Sequence, residues 1–228
     1  MKRGKQKHLS IFIILIVIFG VVLTYFLTRD NDLKEVNSVQ IIEIRNYEGK
    51  DLSSVYDFRE NSIKGPQYVD LDGYRLQIAG LVDDPVEFLY DEIVNNYEPE
   101  KKVVTLNCVE GWSATILWEG IRLKDLFSGI KIKPEANTII FYAADGYSTS
   151  FPIEYIMDNN IIIAYKMNDA FLLPERGFPF QLVAESKWGY KWIKWIERIE
   201  FSDNPDYRGF WEKRGYSNSG DLNKSFFD

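Results

Sequence analysis

The sequence predicts an α+β domain built from mixed β-sheets with short helices, preceded by one N-terminal transmembrane helix. Three observations support this. Ile11–Leu27 is 17 residues without a charge, which as a helix spans about 26 Å and reaches the short end of what crosses a bilayer. The chain beyond it is long enough for one domain with a substantial core. Within that part, strand-like runs outnumber brief helix-like stretches and lack the regular alternation of a doubly wound fold.

The basic tail 1–8 carries Lys2, Arg3, Lys5 and Lys7, which favours an inside N-terminus and a translocated remainder. Leu9 and Ser10 extend the apolar run, giving an anchor over 9–28. No small-x-small cleavage site follows it, so it reads as an uncleaved anchor rather than a signal peptide. A polar tether over 29–37 leads to a domain over 38–228, expected on the extracytoplasmic side of the cell membrane. Val39–Ile44 reads as a first strand, Tyr47–Leu52 as a turn and Asp57–Pro66 as a loop. Tyr74, Leu76 and Ile78 alternate with polar residues and form a half-buried strand closed by Gly80. Asp84 followed by Pro85 predicts a helix to Val94, with an aspartate cap and proline at its first position.

Lys102–Asn107 then runs as a strand into Cys108, Ala114–Trp118 forms the next, and Ile121–Phe127 a short helix. Asn137–Ala143, Asn160–Tyr165, Phe178–Val183 and Trp195–Phe201 add further strands, with a hairpin turn at Asp145-Gly-Tyr147. Phosphate-cradling glycine motifs and internal repeats are missing from the sequence.

Composition excludes much chemistry. Without the four tail cations, 23 Lys+Arg face 34 Asp+Glu, a balance unsuited to neutralising nucleic-acid phosphates. The single histidine, His8, precedes the apolar run, so the outer domain has no Ser-His-Asp or Cys-His nucleophile and no histidine-containing zinc site. One cysteine permits neither an intrachain disulfide nor a cysteine-ligated iron–sulfur cluster. Any redox reaction here therefore draws its electrons from a separate partner; a membrane haem protein is the natural candidate.

The lone cysteine lies in Leu106-Asn-Cys-Val-Glu-Gly-Trp-Ser-Ala-Thr-Ile-Leu-Trp-Glu-Gly120. Free cysteines rank among the most buried residues, so Cys108 reads as a small core side chain. It reads equally as a soft donor at a strand end facing a cleft. A thiol outside the cytosol needs shielding from oxidation under either reading. A metal at Cys108 would have to bring most of its own ligands.

Cys-Val-Glu-Gly-Trp-Ser, followed by Trp118-x-Gly120-x-x-Leu123, resembles the metal-binding segment of the sulfite oxidase family of molybdopterin enzymes. Within it, the likeness is strongest to the periplasmic methionine-sulfoxide reductase catalytic subunit and its relatives. Leu173-Pro-Glu-Arg-Gly-Phe-Pro-Phe-Gln-Leu-Val183 with Gly189-Tyr-Lys-Trp-Ile-Lys-Trp195, and Phe58-Arg-Glu-Asn61 ahead of Asp72-Gly-Tyr-Arg, extend the resemblance over most of 55–215. It implies a molybdenum–molybdopterin cofactor, with tungsten an open alternative, whose metal takes one protein thiolate from Cys108. It further implies cofactor contacts from Arg59, Glu60, Asn61, Arg176, Gln181 and Lys191, and from the backbone of Gly189 and Tyr190. Three positions depart from the pattern: Arg176 stands for a usual His or Asn, Gln181 for a phosphate-binding arginine, and Glu185 for a proline.

The function implied is a membrane-anchored, molybdopterin-dependent oxidoreductase that transfers an oxygen atom on a small S- or N-oxide substrate. The other reading is a cofactor-free binding or assembly module that retains the fold, with Cys108 structural. Lys191, Lys194 and Arg198 near the last strand read either as ligand contacts or as a solvated edge.

Overall fold

The computed structural model describes residues 42–227. The expected tail, anchor and tether lie outside those residues, and so do Val39–Ile41 of the expected first strand. Among the described residues, no helix is long and apolar enough to cross a membrane. Ile42–Ile44 carry no strand; a two-residue hairpin, β1 (Asn46–Tyr47) with β2 (Lys50–Asp51), follows instead, turned by Glu48 and Gly49 at positive φ.

One sheet is built on β5 (Pro99–Asn107) and β6 (Ser113–Arg122), an antiparallel pair in register from Pro99↔Ile121 to Asn107↔Ser113. β9 (Ile162–Met167) pairs with β6, and β10 (Ala170–Phe171) and β11 (Gln181–Val183) pair with β9. β9 is apolar along most of its length because both of its faces are covered; Ile162, Ile163 and Ala164 are fully buried. The second sheet has the order β4 (Val86–Phe88), β3 (Leu76–Gly80), β12 (Ile196–Ser202), β7 (Thr138–Ala143) and β8 (Ser148–Pro152). Its β3 and β12 run parallel, and every other pair is antiparallel. The helices are short: α1 (Tyr90–Asn96), α2 (Leu123–Leu126) and α3 (Ile153–Asp158). Mixed sheets with few short helices are thus the observed architecture.

Several boundaries differ from the sequence expectation; the strand expected over Phe178–Val183, for one, is confined to Gln181–Val183. Val86–Phe88 is a strand, because edge pairing with Leu76–Ile78 outweighs the proline start signal. The helix begins only at Tyr90, where the Glu92 carboxylate accepts the Leu89 N–H at 2.8 Å. β6 runs on to Arg122, leaving α2 a single turn. β8, rich in Ser and Thr, and α3 after it were not among the elements expected from the sequence.

At Gly120 the β6–β9 ladder shifts register, and a Cβ there would lie 2.2 Å from the Ile163 carbonyl oxygen. Neither backbone can withdraw without breaking the sheet. Gly120→Ala should therefore lower unfolding free energy by about 2–3 kcal/mol, as overpacking of a rigid core does. Urea titration measures this, and an unchanged midpoint would show that the ladder yields.

Candidate active site

β5 ends at Asn107 and β6 starts at Ser113, so residues 108–112 form the turn between them. The Cys108 N–H donates to the Trp112 carbonyl at 2.9 Å, and the Gly111 N–H donates to the Cys108 carbonyl at 3.1 Å. Gly111 takes φ +89°, open to glycine at little cost. The turn directs the thiol into a cavity of about 520 Å³, while the residue itself is only 8% exposed. Sγ accepts from the Asn61 amide and from the Glu110 N–H, both at 3.5 Å.

Burial pushes the Cys108 thiol above its ordinary range, and the Glu110 charge adds to that; the Glu110 N–H, the Asn61 amide and Arg59 pull the other way. Glu110 itself is held below the usual carboxylate range, first by the Asn61 amide and then by the Trp112 indole and Arg59, against a small desolvation. Arg59 Nη1 lies 3.1 Å from the Glu110 carboxylate, and the Trp112 indole N–H donates to it at 3.3 Å.

The opposite side is a stretch without regular structure, Val55–Tyr68. Arg176, on a 3-10 turn closed by Gly177 at φ +96°, fastens it. Nε donates to the Val55 carbonyl and Nη2 to the Phe58 carbonyl, both at 2.7 Å, and the guanidinium lies 3.8 Å from the Phe58 ring centroid. Phe58 in turn packs on Trp112 at 5.7 Å. Lys194 Nζ donates to Glu60 at 2.6 Å and to the Glu175 carbonyl at 3.1 Å.

Eight of the expected site residues line this one cavity: Arg59, Glu60, Asn61, Cys108, Arg176, Gln181, Gly189 and Tyr190. Lys191 does not. Its ammonium is enclosed in a fully buried pair with Glu212. The structure adds Asp145, Lys194, Trp195, Trp211 and Tyr216 to the lining. Lys194 is therefore not on a solvated edge. The repeated Lys-Trp-Ile of 191–196 was its one sequence signal, and Trp211 and Tyr216 had none. Glu185, at the usual proline position, forms a short ion pair with Lys102 on β5.

The donor set suits a metal that arrives with its own ligands. Among the described residues, no group of three or more His, Cys, Asp or Glu could hold a metal ion, so Cys108 would be a single soft ligand. Gly189 allows close approach beside it, since a Cβ there would meet the Asn107 carbonyl at 3.1 Å. Gln181, 6% exposed, contributes an amide to the lining.

Comparison with known proteins agrees. The oxidoreductase molybdopterin binding domain matches residues 63–211. The chain belongs to this family, of the sulfite oxidase type, and is a molybdopterin-binding oxidoreductase. It is 33% identical over 159 residues to the uncharacterized oxidoreductase YuiH of Bacillus subtilis, covering 68% of this chain and 78% of that one. It is 33% identical over 153 residues to the putative protein-methionine-sulfoxide reductase subunit YedZ1 of Azospira oryzae, covering 65% and 56%. A Fusarium oxysporum nitrate reductase matches at 29% over 162 residues, which is 60% of this chain but 18% of that enzyme. Among solved structures, the sulfane dehydrogenase SoxCD of Paracoccus pantotrophus shares the fold, with a TM-score of 0.60 at 23% identity over 68% of this chain and 43% of that one.

The raised thiol has a measurable consequence. In cofactor-stripped protein, alkylation of Cys108 should reach its half-maximal rate above the free-cysteine value of about 8.5, because the reactive thiolate forms late. A pH–rate profile at or below that value would contradict the buried environment described here.

Proposed function

We propose that this chain is a membrane-anchored extracytoplasmic enzyme that reduces a small neutral S- or N-oxide at a molybdenum centre ligated by Cys108. The charge arrangement around the thiol carries this reading. Of the cations lining the cavity, Arg59 is paired with Glu110, Lys194 with Glu60, and Arg176 is held by two carbonyls. Asp145 and Glu175 add further acid to the lining. An anion such as sulfite or nitrate would meet few uncommitted positive charges, whereas a neutral oxide meets aromatic walls. The likeness to a putative methionine-sulfoxide reductase subunit supports the same substrate class.

When bound, the cofactor supplies two-electron exchange of an oxygen atom. The chain's part is to hold and orient. Cys108 donates sulfur, and Asn61 and the Glu110 N–H fix its direction. Phe58 and Trp112 pack against each other in the lining of the same cavity. Reduction of an S-oxide consumes two electrons and two protons and releases water. The electrons come from a separate partner, for which a membrane haem protein is suited, since an anchor at 9–28 keeps both in one plane.

Metal analysis of the purified full chain should find molybdenum or tungsten near one per chain. Cys108→Ser, which replaces a soft donor with a hard one, should abolish dye-linked reduction of methionine sulfoxide and change the paramagnetic signal of the partly reduced metal. An unaltered signal with unaltered activity would remove Cys108 as ligand; a metal-free wild-type chain would restore the cofactor-free module. Dye-linked reduction of the S-oxide should exceed that of nitrate by about tenfold or more, since like charges brought together in a site cost several kcal/mol.

The topology is tested separately. Protease added to intact spheroplasts should degrade the domain, and protection from it would place the domain on the other side.

A further inference from the structure

Lys191 and Glu212 form an ion pair with both side chains 0% exposed, Nζ lying 2.8 Å from Oε1. The same ammonium donates to the Ser150 carbonyl at 2.7 Å and the Asn218 carbonyl at 3.0 Å. The Thr149 hydroxyl donates to Glu212 Oε1 at 2.7 Å. Strand β8, the 3-10 turn Glu212–Arg214 and the chain at Asn218 therefore converge on one nitrogen.

Two glycines permit that convergence. A Cβ at Gly209 would lie 2.1 Å from the Ser148 carbonyl oxygen, and one at Gly220 would lie 2.5 Å from Lys191 Cγ. Both ends of the pair adjoin the cavity. Lys191 closes the turn opened by Gly189 and Tyr190, and Glu212 directly follows Trp211; Gly189, Tyr190, Trp211 and Tyr216 all line it. Tyr190 meets Tyr216 edge-on at 5.0 Å and donates its hydroxyl to the Ser217 carbonyl at 2.7 Å.

A fully desolvated pair is a poor device for stability alone, because stripping water from both charges offsets their attraction. Its directional bonds do something a pair of apolar side chains cannot: they admit one register of the C-terminal segment against the turn. We propose that Lys191 and Glu212 are a positioning pair that fixes Trp211 and Tyr216 as a rigid cavity wall and so sets which oxide side chains enter. This rests on the substrate reading above.

The test uses the full-length, cofactor-loaded chain. Lys191→Met combined with Glu212→Leu removes both charges at similar volume and leaves no lone buried ion. KM and kcat for methionine sulfoxide are measured with a reduced dye, alongside amide hydrogen exchange at 209–222 and at 113–122. KM should rise about tenfold or more with kcat within about threefold, the pattern of lost uniform binding. Exchange should quicken at 209–222 and stay unchanged at 113–122, as local loosening requires. Glu212→Gln keeps an acceptor oxygen for Thr149, so it should shift the same quantities less; it also decides the matter if the double variant does not accumulate. Wild-type exchange at 209–222, or faster exchange with unchanged KM, would overturn the proposal. A wild-type chain inert toward S-oxides would overturn the substrate reading instead, and the exchange contrast would then decide the positioning role by itself.

Discussion

The carbonyls of Val55 and Phe58 belong to a stretch with neither strand nor helix to satisfy them, and one guanidinium answers both. Left alone, each would cost about 1–3 kcal/mol of desolvation where the chain is buried. Burial lowers the Arg176 pKa from its ordinary value, Glu175 and Glu60 oppose that, and an arginine keeps its charge regardless. From this hold follow the seating of Phe58 against Trp112, the placement of Arg59 and Glu60 in the cavity lining, and the reach of Asn61 to the thiol. A histidine or asparagine at 176 would offer fewer donors in a different geometry. Arginine here fastens the protein's own loop.

Backbone strain supplies a second part of the site. Lys194 and Trp195, immediately before β12, both line the cavity. Trp195 achieves this at φ +51°, just before the bulge where β12 leaves register with β7. Such a conformation costs roughly 1–3 kcal/mol for a bulky residue and persists only when its surroundings impose it. They do. The Trp195 N–H donates to the Gly177 carbonyl at 3.3 Å, its carbonyl accepts from Ala144 at 3.0 Å, and its indole donates to the Pro174 carbonyl at 2.7 Å.

Much of this was legible in the sequence where pattern and packing coincide. The apolar run at 160–165 reads as a doubly covered strand because it is one, and Cys108 reads as a strand-end residue because the pairing of β5 with β6 stops at Asn107. Asp84-Pro85 misled because local start signals are weaker than an available sheet edge. β8 was silent because its Ser and Thr side chains are buried by partners elsewhere: Ser150 donates to the Tyr207 carbonyl, and Thr149 to Glu212. The place of Lys191 outside the cavity lining was hidden for the same reason. A lysine's role depends on where its counter-charge lies, and Glu212 is 21 residues away along the chain. The eight residues that did gather round one cavity sit in short motifs whose spacing the turns preserve.

The parallel pairing of β3 with β12 has a consequence for how the molecule is made. The Tyr74 hydroxyl bonds the Ile196 carbonyl, 122 residues onward, so a central strand pair of the second sheet stays incomplete until β12 has left the ribosome. Closing so distant a contact is slow, and the unpaired edge of β3 meanwhile needs protection. The cavity's walls come from residues 58–65 and from Trp211 and Tyr216, and they meet later still. A nascent chain that has not yet reached Tyr216 therefore has no complete pocket to offer a pterin.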